Sequence, residues 1–161
     1  MDIGELRKKA LEFERRVRNR NWREYGAALL VAVACVWMLV AAPRWHVKAG
    51  AALSMVGIAA VCWNLYRKGS AEVLPDGAVV SRDWYRKELE RQRDLLRDVW
   101  KWYLGPMVPG MVMWFGGGLL EHPERWRVTA VTFGIGVAVF VVVGRLNTQA
   151  ARRLDKEINS L

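Results

Sequence analysis

Chemistry in a protein starts from thiols, imidazoles and carboxylates at workable spacing, and this 161-residue chain has few of them in workable places. Its two histidines are His46 and His122, with Glu121 and Glu124 beside the second. A metal centre needs three or four ligands at fixed spacing, so these four residues are expected to be solvated loop groups and no metal site is expected. Cys35 and Cys62 each lie inside an apolar stretch. On antiparallel helices their depths would differ by roughly 9 Å, beyond the span a disulfide bridges, so they are expected to act as small buried hydrophobes. No P-loop, G-x-S-x-G, H-E-x-x-H or zinc spacing occurs, and Gly134-x-Gly136 lacks the third glycine of a nucleotide loop. No catalytic residue and no cofactor is expected, and the expectation for function is non-enzymatic.

The elements that position these residues are sorted by polarity. The chain is 53% hydrophobic and 25% charged, yet its mean hydropathy is only +0.02 because the two kinds of residue occupy separate blocks. Asp, Glu, Lys, Arg and His are absent from residues 25–43, 49–66, 102–120 and 128–144. A membrane helix needs about 20 mostly apolar residues, with about 17 as the lower limit, and flanking Lys or Arg can supply the missing turn. The expected fold is therefore an all-α integral membrane protein with four transmembrane helices. A disordered chain and a disulfide scaffold are excluded by the apolar content and by two cysteines. The first apolar stretch follows a long charged arm, unlike a cleavable leader, and is expected to stay in the protein.

Charge orients the spans. Residues 1–24, 67–101 and 145–161 hold 21 of the Lys and Arg residues, and the two other connections hold four. Lys and Arg in short loops stay in the cytoplasm, so both termini and the central loop are expected there, in a bacterial inner membrane. Trp22, Tyr25, Trp63, Tyr66, Trp100, Trp102 and Tyr103 would mark the inner boundary, and Trp45 and Trp126 the outer one. Trp37 and Trp114 sit deeper and are expected to pack. With no charged residue inside the stretches, a coupled transporter is disfavoured.

The division of the chain follows. Residues 1–24 form an amphipathic basic helix whose stripe is Ile3, Leu6, Ala10, Phe13 and Val17. It is expected to lie on the inner leaflet, with Arg15, Arg16, Arg18, Arg20, Trp22 and Arg23 on anionic lipid headgroups rather than on nucleic acid; the same spacing would also suit a docking helix. Residues 25–66 and 102–144 form two transmembrane hairpins, and 145–161 a tail. In the loop 67–101, residues 69–81 suggest a minimal hairpin around Pro75-Asp76-Gly77. From Arg82 a charged helix runs into the third span, capped by Ser81 and kept soluble by pairs such as Glu88 with Arg91 and Asp98 with Lys101. Its face of Tyr85, Leu89, Leu96 and Trp100 is expected to bind a protein partner or a second copy. Gly105, Pro106, Pro109 and Gly110 interrupt the third span, either as a kink in a tight bundle or as the hinge of a small oligomeric channel or transporter. Small residues Gly50, Ser54, Gly57 and Ala60 mark close contacts of the second span.

Overall fold

The computed structural model describes residues 3–70 and 81–161, and these are helical almost throughout, with no strand among them. Helix α1 (Ile3–Ala41) is followed by α2 (Trp45–Lys68), α3 (Arg82–Arg97), α4 (Val108–Glu121) and α5 (Trp126–Asn159). A π turn at Trp100–Leu104 and a 3-10 turn at Gly105–Met107 join α3 to α4, and a 3-10 turn at Pro123–Arg125 joins α4 to α5. The hairpin expected at 69–81 falls mostly outside the described residues.

The arm and the first apolar stretch are one helix of 39 residues, about 58 Å at 1.5 Å per residue. No proline interrupts it, and it stops two residues before Pro43, because the residue preceding a proline is pushed out of helical conformation. The last apolar stretch and the tail likewise form the single 34-residue α5. Three helices, α1, α2 and α5, are long and apolar enough to cross a membrane. The third expected span is different: Pro106 and Pro109 cannot donate to a regular ladder, and the chain absorbs them in the π and 3-10 turns. That leaves α4 with 14 residues, fewer than the roughly 20 a bilayer needs.

In the apolar layer α2 is central, packed between α1 and α4. A third of its apolar window (33%) is buried, against 6% for α1 and for α5. The close contact is backbone on backbone. A Cβ built on Gly57 would stand 2.5 Å from the Pro106 carbonyl oxygen, and one on Gly110 would stand 2.9 Å from the Ser54 nitrogen and 3.0 Å from the Gly50 oxygen. The break in the third stretch is thus seated on the small face of α2. On the α1 side, buried Cys35, Ala51 and Ile58 pack with Cys62 at their edge, and both cysteines are unpaired. Trp37 is not packed as expected: it is 73% exposed within the chain.

At the basic end, the start of α1, α3 and the end of α5 form a separate three-helix module. Leu6, Ala10, Phe13 and Val17 meet Tyr85, Leu89 and Ile158 in its core, with the Phe13 and Tyr85 rings edge to face at 6.2 Å. This corrects two expectations. The α1 stripe is not laid out on a surface, and α3 is not a solvent-surrounded rod, because each covers the apolar face of the other. Ser81 does cap α3, accepting from the Trp84 N–H at 3.1 Å, and the Glu88–Arg91 and Asp98–Lys101 pairs form. Arg97, however, reaches across to Asp155 of α5 at 2.7 Å.

The contact between α2 and the broken stretch yields a direct test. Gly57→Ala should cost about 1–3 kcal/mol through forced separation of two backbones. Gly134, with no atom within 4 Å of its added Cβ, should tolerate alanine or gain slightly from its helix propensity. Thermal unfolding in mild detergent reads both, and equal shifts would refute the close-contact assignment.

Candidate functional site

Every helix ends with carbonyls that have no partner in the helix, and the end of α2 is where the apolar layer meets the module. The Gly69 carbonyl there accepts from Asn21 Nδ2 at 2.9 Å, Arg20 Nη2 at 3.4 Å and Gln92 Nε2 at 3.5 Å. Arg20 also donates to Asn21 Oδ1 and, at 3.1 Å, to Gln92 Oε1. Glu88 completes the knot by accepting from Gln92 at 3.3 Å and Arg91 at 2.9 Å. Gln92 is fully buried, and no buried side-chain polar atom among the described residues lacks a partner. Burial depresses the pKa of Arg20, against the pull of Glu24; a guanidinium still keeps its proton. Two turns away, the Tyr85 hydroxyl donates to Glu157 Oε1 at 2.6 Å. Burial above all, then that hydrogen bond and the carboxylate charge, pushes the phenol pKa up.

Beside the knot, α1 and α5 stand apart around a cleft of about 630 Å³. Its lining includes Gln92 and Leu96 of α3, the apolar Ala27, Val143 and Leu146, and the charged Arg16, Arg23, Arg153, Glu24 and Glu157. Of the residues expected on headgroups, Arg16, Arg20 and Arg23 line this cleft. Arg15, Arg18 and Trp22 lie outside it, Arg18 being paired with Glu14 and Trp22 72% exposed. Of the expected partner-binding face, Tyr85, Leu89 and Leu96 are buried inside the chain, and Trp100 is half-exposed and packs on Gly144. That face is therefore not open for docking. Gly105, Pro106, Pro109 and Gly110 belong to the broken stretch, with Pro106 and Gly110 directly against α2.

The sequence reading missed Asn21, Gln92 and Arg153. The first two had a signal: Asn21 continues the 3,4 spacing of the α1 stripe, and Gln92 lies three residues from Leu89 and four from Leu96 on the buried face of α3. A polar side chain in register with an apolar stripe must find a partner.

At the opposite end His46 is not a solvated loop group, whereas His122 and Glu124 do lie in the partly exposed turn between α4 and α5. His46, in the first turn of α2, is 2% exposed and bonds Glu121 Oε1 through Nδ1 at 3.0 Å. Arg44 pairs with Glu121 at 3.3 Å and donates to His122 Nε2 at 2.7 Å. Since arginine cannot accept, His122 must carry its proton on Nδ1, which donates to Glu124 at 2.9 Å. The helix termini bring these residues together, and the result is a clasp between α2 and α4. Among the described residues no three His, Cys, Asp or Glu side chains group as metal ligands. Comparison with known proteins finds no matching family model, curated protein or solved structure.

Two substitutions probe the knot and the module. Gln92→Ala should cost about 1–3 kcal/mol by leaving Arg20 and the Gly69 carbonyl short of partners; a variant as stable as the parent in denaturant titration would remove the knot from the account. Because the Tyr85 phenol holds its proton more tightly folded than unfolded, its stabilisation is complete below about pH 10 and drains away as pH rises beyond that value. Tyr85→Phe should therefore flatten the alkaline loss of stability, and an unchanged alkaline slope in pH-dependent unfolding would contradict it.

Proposed function

We propose that this is a four-span protein of a bacterial inner membrane, its third crossing made jointly by the π turn, the 3-10 turn and α4 over residues 100–121, with both termini in the cytoplasm, and that it is non-enzymatic: a membrane scaffold or sensor whose cytoplasmic module is offered to a protein partner. The observation that carries this reading is the continuity of α1 and α5, each of which runs unbroken from an apolar window into the module. With no hinge between them, a tilt or separation of the two spans moves the module's core elements as rigid levers. The segregation of Lys and Arg, 21 against four, supports the orientation. Since the apolar side of α3 is spent internally, the partner surface is its charged outer side, with Arg86, Lys87 and Asp94 exposed. The barely buried apolar windows of α1 and α5 would face lipid or a second copy.

The broken third stretch keeps a small oligomeric channel or transporter as the alternative. In this fold the break is lined by the backbone of α2, which favours its role in packing. Liposome flux that falls in Pro106→Ala and Pro109→Ala would revive it.

The main reading is tested in native membranes. A fluorescent protein fused after Leu161 should light up, and a phosphatase reporter fused after Pro123 should be active only on the outer side. A photo-crosslinker at Lys87 or Asp94 should then capture a discrete protein; a dark fusion refutes the topology, and clean expression without any adduct refutes the partner surface.

A further inference from the structure

We propose that the cleft between α1 and α5 is a specific seat for one anionic phospholipid of the inner leaflet. Its phosphate would lie against Arg23, with Arg153 at the far end of the head and an acyl chain leaving past Ala27, Val143 and Leu146. The inference rests on the four-span reading and adds a ligand to it.

Three observations carry it. The cleft is amphipathic along its length, apolar where α1 and α5 enter the uncharged stretches and cationic where they leave them. The depth fits: the uncharged stretches end at Tyr25 and Gly144, so the Arg23 backbone stands about 3 Å beyond the apolar layer and that of Arg16 or Arg153 about 13 Å. Headgroups occupy about 5–7 Å of each leaflet, and the Cβ of a helical residue tilts toward the helix N-terminus, which for α5 is the membrane side. Arg153 is thereby inclined back toward the phosphate level, whereas Arg16, on α1, is inclined away from it.

The charge balance completes the argument. Glu24 and Glu157 also line the cleft and keep their charge while accepting phenol hydroxyls at 2.6 Å from Tyr103 and Tyr85, so the four guanidiniums of Arg16, Arg20, Arg23 and Arg153 outnumber them by two. Arg20 is held by Asn21, Gln92 and the Gly69 carbonyl. Arg16 lies over the Phe13 ring at 5.7 Å. Arg23 and Arg153 have no hydrogen bond or ion pair among the described residues. Guanidiniums beside an apolar recess recruit planar oxyanions, phosphate above all, and basic recesses between membrane helices on the cytoplasmic side are where anionic lipid heads are held.

The test uses the full chain in nanodiscs of phosphatidylcholine containing a minor fraction of phosphatidylglycerol, followed by release and native mass spectrometry. One phosphatidylglycerol should remain bound per chain, and millimolar glycerol phosphate should not displace it. Arg23→Gln with Arg153→Gln should weaken retention about tenfold. Arg145→Gln with Arg152→Gln removes the same charge from exposed positions of α5 outside the cleft and should leave retention unchanged.

Equal retention of phosphatidylcholine and phosphatidylglycerol by the unaltered chain overturns the proposal without any variant, and is the outcome expected if an acidic protein segment fills the cleft instead. Equal losses in the two double variants overturn it in favour of diffuse attraction. In either case a chain that has entered the nanodisc leaves the four-span reading standing; a chain that does not enter removes both.

Discussion

The fold depends on two helix backbones approaching each other more closely than any Cβ would permit. Gly50, Ser54 and Gly57 open one face of α2, and Pro106 and Gly110 occupy it. In the bilayer proposed for these helices the lipid tails would be as apolar as the helices, so burial would provide little drive for association and close backbone packing would replace it. The same contact resolves the conflict in the third stretch, whose prolines forbid a regular ladder: the irregular π and 3-10 turns lie against a neighbour instead of facing the surroundings.

From this contact the structure extends in two directions. At one end the Arg44, His46, Glu121 and His122 clasp ties α2 to α4. At the other, the terminal carbonyl of α2 is gripped by side chains of α1 and α3, so the layer and the module are fastened by hydrogen bonds as well as by continuous helices. A fully satisfied buried network of this kind rigidifies its surroundings, while a half-satisfied one is costly. Loss of one member therefore weakens the junction of three helices together.

The module also explains the charge pattern of the basic end. Three helices, each apolar on one side, close on one another and turn their Lys and Arg outward. Some of those charges meet an acid: Arg93 and Arg97 share Asp155, and Arg91 holds Glu88. In the seam between α1 and α5, Arg16, Arg20, Arg23 and Arg153 line a partly apolar gap together with Glu24 and Glu157.

The periodicity of Leu6, Ala10, Phe13 and Val17, the cap at Ser81 and the uncharged windows of α1, α2 and α5 were legible in the sequence, because each is written in spacings of a few residues along one helix. The small face of α2 was legible as a contact, though not the broken segment that fills it. What covers the stripes of α1 and α3 was not: an apolar stripe serves equally a membrane surface, a partner or another part of the same chain, and only the meeting of segments more than sixty residues apart decides among them. The same holds for His46 beside Glu121, for Gln92 beside Arg20 and for Arg153 across from Arg23. Local propensity sets helices and their faces over one turn, whereas pairing depends on where whole helices come to rest.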